Sequence, residues 1–138
     1  MSNKSSHMAS IVVWKDNKVL CCKHDAASAA WEFPSDGIGE GEASMAACKR
    51  MAEERLMCRL STSWLLETLE VERAEASVSM DCFVATLVPG HEPVAEGYAE
   101  IGWFGRDELA GMVWQPPHER LAALVGSLWD QVFMYEHL

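Results

Sequence analysis

One stretch of the sequence, residues 31–60, constrains the fold more than any other. Its sequence is WEFPSDGIGEGEASMAACKRMAEERLMCRL: an apolar segment, a loop with three glycines, and then residues that favour a helix. Glycine permits tight backbone turns, and proline cannot donate a hydrogen bond within a sheet. The pattern predicts a short strand at residues 31–33 that Pro34 ends, then a loop, then a helix that starts near Ala43 or Ser44.

The predicted helix has two faces with different expected environments. Residues three or four positions apart share one face of a helix. The face expected to pack into the core contains Met45, Cys48, Ala52 and Leu56. The neighbouring face is expected to border the functional site, and its members are Ala47, Met51, Glu54 and Arg55.

Strands are predicted on both sides of this stretch. A turn at Asp16 and Asn17 lies between two apolar runs, which predicts a hairpin. Alternating or β-branched apolar residues predict strands at residues 11–14, 19–22, 64–71, 78–88 and 100–104.

Two further helices complete the predicted domain. A short helix is predicted at residues 107–112, and an amphipathic helix follows Pro116 and continues through Val132. We expect residues 1–8 to be a flexible tail and residues 9–138 to form a single mixed α/β domain.

The composition excludes several classes of protein. The formal net charge of −10 argues against a nucleic-acid polymer as partner, because such binding relies on Lys and Arg neutralising phosphates. No run reaches the roughly 18 apolar residues that a membrane span requires. The five cysteines contain no C-x-x-C spacing, so we expect buried, reduced thiols of a cytoplasmic protein rather than disulfides or a zinc site.

Several landmarks together resemble one known family. WEFP, a glycine-rich acidic loop that ends in Gly41-Glu42, and then Arg50 and Glu54 resemble the Nudix box. The later segments LLETLE, E-x-x-W and WQPPHER look like those of MutT-like Nudix hydrolases, so that the resemblance covers about residues 9–135. It implies a Nudix-type α/β/α sandwich, with a mixed sheet between the box helix and the C-terminal helix.

The resemblance also implies a chemistry. Nudix hydrolases cleave nucleoside diphosphates linked to another group, and glutamates of the box helix hold Mg²⁺ or Mn²⁺ for this reaction. In this sequence the three helix positions that correspond to these carboxylates are Met51, Glu54 and Arg55. A thioether is a poor ligand for a hard cation, and a guanidinium stays positively charged. The box is therefore degenerate.

Three carboxylates are the candidates for a remaining metal site: Glu54, Glu96 and Glu100. Glu54 and Glu100 are also the candidate catalytic residues. The plain alternative for Glu54 is an ion pair with Arg50 four residues earlier, and loop glutamates such as Glu96 are often simply solvated.

Four residues are candidates for contacts with the ligand. The resemblance places Lys23 and His24 near the α-phosphate, and Glu119 near the edge of the base. Arg55 is expected to bind a phosphate in place of the metal. The plain alternatives are a surface position for Lys23 and His24 and a helix N-terminal charge for Glu119. For Arg55 they are neutral drift in a dead site, or a salt bridge to the neighbours of Glu54.

These observations leave three hypotheses open. The first is a protein that binds a nucleoside di- or triphosphate but hydrolyses it weakly or not at all. The second is an active Mg²⁺- or Mn²⁺-dependent hydrolase that uses Glu54 with Glu100 or Glu96. The third is a non-enzymatic interaction module on a Nudix scaffold.

Overall fold

The computed structural model describes residues 4–72 and 76–133. In the described residues, six strands and four helices follow each other along the chain. They are β1 (Lys4–Lys15), β2 (Lys18–Lys23), β3 (Ser35–Gly37), α1 (Ser44–Arg55), β4 (Leu60–Glu72), β5 (Ala76–Leu87), β6 (Glu100–Phe104), α2 (Arg106–Leu109), α3 (Pro116–Ser127) and α4 (Trp129–Phe133). No helix in this part of the chain is both long and apolar enough to cross a membrane.

The strands form one mixed sheet in the order β4-β5-β1-β2-β6. β1 and β5 are parallel, whereas β4 with β5, β1 with β2, and β2 with β6 are antiparallel. The short strand β3 pairs with the N-terminal part of β1, at Met8, Ala9 and Ser10. The predicted hairpin turn is confirmed, since Asp16 and Asn17 both have positive φ, as a type I′ turn requires.

The sheet separates two apolar clusters. Successive side chains of a strand point to opposite faces, and β1 shows this alternation. Ile11 and Val13 pack on the side of α1, whereas Val12 and Trp14 pack on the side of α3 and α4. The predicted α/β/α sandwich, with a mixed sheet between the box helix and the C-terminal helices, is therefore confirmed.

The five cysteines are all buried and unpaired. Cys21 and Cys22 are adjacent on β2 and belong to opposite clusters, Cys21 to the α3 side and Cys22 to the α1 side. Burial is the main cause that raises the pKa of both thiols. The prediction of buried thiols without disulfides is confirmed.

Three predictions about the elements were wrong. Residues 4–8, expected in a flexible tail, belong to β1 and pair with residues 76–80 of β5, while residues 1–3 lie outside the described residues. The predicted strand at residues 31–33 makes only isolated bridges, and the regular strand β3 follows Pro34, whose carbonyl accepts a hydrogen bond from Ile11. The last helix is interrupted at Leu128, so that α3 and α4 are separate.

Candidate functional site

A cleft of about 300 Å³ lies where β3, the end of α1 and the start of α3 meet. The pairing of β1 explains the position of the cleft. β1 pairs with β2 only near Trp14, and its N-terminal part pairs with β3 instead. Met8, Met80 and Pro117 form an apolar wall. The polar residues that line the cleft are His24, Glu32, Ser35, Asp36, Arg55, Gln115 and His118.

A buried carboxylate lies at the floor of the cleft. Glu32 is 8% exposed; its Oε1 is 2.5 Å from Nε2 of His24, and its Oε2 is 3.8 Å from Nε2 of His118. Burial raises the pKa of Glu32, and the nearby His24 and Arg55 oppose this shift. The cleft thus keeps one acidic group largely out of water, with an exposed imidazole beside it.

His118 is a neutral donor at the same floor. The backbone N–H of Phe33 donates to its Nδ1 over 3.2 Å, so the proton of the neutral ring is on Nε2. Nε2 faces Ser35 Oγ at 3.5 Å. Burial lowers the pKa of His118 to about 4, because a charged imidazolium would lose its hydration there.

Two arginines of α1 share one carboxylate at the mouth of the cleft. Nη1 of Arg50 is 3.1 Å from Oδ2 of Asp36, and Nη2 of Arg55 is 3.4 Å from Oδ1 of the same side chain. Arg50 also donates from Nε to Glu42 over 2.9 Å, and this interaction is the main cause that lowers the pKa of Glu42 to about 2. The acidic loop before α1 is therefore held by Arg50, while Arg55 lines the cleft.

The loop before β6 fixes the end of α1. The N–H of Gly97 donates to the carbonyl of Arg55 over 2.9 Å. A Cβ at Gly97 would lie 2.8 Å from Cβ of Arg55, a distance too short for two carbon atoms, so a side chain there would displace Arg55. The close approach requires glycine and fixes the direction from which Arg55 enters the cleft.

Solved structures with this architecture include hydrolases of the Nudix family. The solution structure of the E. coli ORF135 protein is similar with a TM-score of 0.79 and 17% identity, over 94% of each chain. MutT, from a study of Aliivibrio salmonicida and Vibrio cholerae, has a TM-score of 0.77 and 18% identity, over 90% of this chain and 98% of that one. A Nudix-family hydrolase from Clostridium perfringens has a TM-score of 0.69 and 16% identity, over 90% and 97%.

The chain has the Nudix fold. No family model matches the sequence, and no curated protein is similar to it by sequence. At identities below a fifth, these likenesses concern the fold alone, and the chemistry has to be argued from the side chains.

Met51, where the resemblance to the Nudix box calls for a carboxylate, lies in the core. Met51 is fully buried in the apolar cluster between α1 and the sheet, and Ala47 is buried beside it. The prediction that both residues border the functional site was therefore wrong. The apolar stripe of α1 is wider than expected, since Ala47, Cys48, Met51, Ala52 and Leu56 are all fully buried.

The candidate metal ligands do not form a cluster. The side chain of Glu54 is 64% exposed and lies 3.8 Å from Arg50, the ion pair considered as its alternative. Glu100 is 3.9 Å from Lys23, and Glu96 is exposed on the loop before β6. Within residues 4–72 and 76–133, no three His, Cys, Asp or Glu side chains are grouped so that they could hold a metal ion. The donor set does not fit the divalent metal that the Nudix box implies.

Two of the four predicted ligand contacts line the cleft: His24 and Arg55. Lys23, the last residue of β2, does not; its Nζ lies 4.6 Å above the ring of Trp31 and 3.9 Å from Glu100. Glu119 does not either, because one residue turns a helix by about 100°. It lines a separate cavity of about 690 Å³ between α2 and α3, and its neighbour His118 faces the cleft instead.

The sequence did not indicate the buried polar residues of the cleft. Glu32 is the most informative of these, since it stands between Trp31 and Phe33 in an otherwise apolar segment. A charged residue in such a segment is rarely buried without a partner, which was the available signal. No sequence pattern indicated that Ser35 and Gln115 would face the cleft.

Proposed function

We propose that the protein binds a nucleoside phosphate in the cleft and does not hydrolyse it by a metal-dependent route. One observation supports this best: the guanidinium of Arg55 lines the cleft, at a position where the Nudix box has a carboxylate. Guanidinium groups bind phosphate through paired, charge-assisted hydrogen bonds. Arg55 therefore supplies directly the positive charge that a metal supplies elsewhere.

The charge change at Arg55 also disfavours a bound dication. Replacing a carboxylate with a guanidinium changes the local charge by two units. At about 4 Å and an effective dielectric constant near 20, one pair of unit charges interacts with about 4 kcal/mol. The exposed Glu54 alone does not offset such a repulsion, and the other box position, Met51, offers no oxygen and is buried in the core.

The size and lining of the cleft suit a base or a nucleoside. About 300 Å³ lies at the lower end of the range for small-molecule sites, which run from about 300 to 1,000 Å³. Met8 and Met80 offer soft apolar contacts of the kind that thioethers make with aromatic rings. Glu32 and His118 add an acceptor and a donor at the floor. The buried thiols fit a reducing compartment such as the cytoplasm.

Isothermal titration of nucleotides in EDTA tests this function. We expect Arg55→Ala to weaken binding about tenfold or more, because a charge-assisted hydrogen bond contributes about 1.5–3 kcal/mol. Arg59→Ala is the matched control, since Arg59 is exposed, near Glu53, and does not line the cleft. Absence of nucleotide binding, or equal binding by wild type and Arg55→Ala, would overturn the phosphate-binding role.

Turnover provides a separate test of the second half of the proposal. Phosphate release from the same nucleotides, with Mg²⁺ or Mn²⁺ and a high protein concentration, is expected to stay at the background rate. If the protein turns over a nucleotide at an ordinary enzymatic rate and EDTA abolishes this activity, other residues hold the metal. The absence of two box carboxylates then does not prevent hydrolysis.

A further inference from the structure

The charges around the mouth of the cleft are unequal in number. The four carboxylates nearest to the two arginines or to the floor are Glu32, Asp36, Glu42 and Glu54. The two permanently charged cations among them are Arg50 and Arg55. The region as a whole therefore does not carry a positive charge, and binding of an anion depends on a guanidinium that is free to contact it.

Arg50 has little capacity left for a ligand. Its Nε and Nη2 donate to the two oxygens of Glu42 over 2.9 and 3.1 Å. Its Nη1 donates to Asp36 over 3.1 Å, and Nη2 also donates to the carbonyl of Gly37 over 3.2 Å. A guanidinium has five N–H donors, and contacts from all three nitrogens are already used inside the protein. Arg50 thus stabilises the loop before α1.

Arg55 has more capacity. Its ion pair with Asp36 is a single contact of 3.4 Å, its side chain is a third exposed, and it also interacts with the hydroxyl of Tyr98, where it opposes the rise in pKa that burial causes. Most of its donors therefore remain for a ligand that enters the cleft. One guanidinium binds one phosphate group through two parallel N–H···O hydrogen bonds.

We propose that the cleft is matched to a ligand with a single phosphate group, so that it binds nucleoside monophosphates more tightly than the corresponding triphosphates. This inference rests on the proposed function. Arg55 engages one phosphate, whereas a further phosphate meets Asp36, the carboxylate that lines the same cleft, with no second free guanidinium to neutralise its charge. The described residues offer no grouped metal ligands that would bring such a cation. Asp36 is then a specificity-determining residue.

Titration of AMP, ADP and ATP, and of GMP, GDP and GTP, in EDTA tests the preference. For the base that binds, we expect the monophosphate to bind about tenfold more tightly than the triphosphate, which corresponds to about 1.4 kcal/mol. A triphosphate that binds as tightly as the monophosphate, or more tightly, overturns the inference and leaves the proposed function standing. If no nucleotide binds, the proposed function and this inference both fail.

The variant Asp36→Asn tests the residue that sets the preference. It removes one negative charge and keeps an acceptor oxygen toward Arg50 and Arg55, so affinity for the triphosphate is expected to rise more than affinity for the monophosphate. Glu40→Gln is the control, because Glu40 is exposed in the same loop and does not line the cleft. An unchanged ratio of the two affinities in Asp36→Asn would show that Asp36 does not set the preference.

Discussion

Met51 and Arg55, where the resemblance to the Nudix box calls for carboxylates, are four residues apart on α1, and their surroundings differ. Met51 is fully buried between α1 and the sheet, among apolar neighbours. Arg55 is a third exposed, contacts Asp36 and lines the cleft. At position 51 the side chain belongs to the core, whereas at position 55 a positively charged side chain lines the cleft. Of the two residues, only Arg55 can contact a ligand in the cleft.

The largest effect is expected from Met51→Glu. A carboxylate at this position would be buried without a partner, and such burial costs on the order of 3 kcal/mol or more. We expect urea unfolding at pH 7 to show this loss of stability. Met51→Leu, which nearly conserves volume, is expected to cost less than about 1.5 kcal/mol.

This variant can also break the comparison between the two positions. If Met51→Glu keeps the stability of the wild type and gains a Mn²⁺-dependent rise in melting temperature, residue 51 faces the cleft. The difference drawn between Met51 and Arg55 would then be wrong.

An effect of similar size is expected from acidification, at the floor of the cleft. The pKa of His118 falls from 6.5 to about 4 on folding, so between these values the unfolded state binds more protons than the folded state. The contribution of His118 to the free energy of unfolding is fully present above pH 6.5. It falls by on the order of 3 kcal/mol as the pH is lowered toward 4. Urea unfolding across this range should show the loss, and His118→Asn should reduce it. Equal slopes in both proteins would contradict the buried, neutral state of His118.

The smallest effect on stability is expected from replacing Arg50 or Arg55 with alanine. Arg50→Ala releases Asp36 and Glu42 and should lower the urea midpoint, whereas Arg55→Ala removes one long ion pair with Asp36 and an interaction with Tyr98 and should lower the midpoint less. The pKa of Glu42 lies near 2 in the folded protein, below its ordinary 4.5, so the effect of Arg50→Ala should shrink as pH falls from 4.5 toward 2. A larger loss in Arg55→Ala would reverse the roles given to the two residues.

Most of the fold could be predicted from the sequence because its signals are local. The hairpin at Asp16 and Asn17, the start of α1 at Ser44 and the strand Glu100–Phe104 follow from turn residues, glycines and alternation. The pairing of residues 4–8 could not be predicted, because those polar residues become a strand only through the neighbouring β5. The interruption at Leu128 also depends on packing, since the apolar stripe continues through it.

The site was harder to predict than the fold, because it depends on side-chain direction at single residues. Periodicity placed Met51 and Arg55 on one face, but a face about 100° wide extends from the core to the cleft. The same limit separated His118 from Glu119, which are neighbours in sequence and line different cavities. Arg55 could be predicted because the resemblance fixes its spacing from WEFP, and His24 because it follows the end of the second strand.

The adjacent thiols of β2 make the two layers of the sandwich chemically distinguishable. Cys22 belongs to the cluster under α1, and Cys21 belongs to the cluster under α3 and α4. An alkylating reagent reacts with a deprotonated thiol that it can reach from water. Burial raises the pKa of Cys21 and Cys22 and also blocks access of the reagent. Labelling of Cys22 therefore records departures of α1 from the sheet, and labelling of Cys21 records departures of the opposite helices. The labelling rates of two adjacent residues thus report separately on the opening of each helical layer.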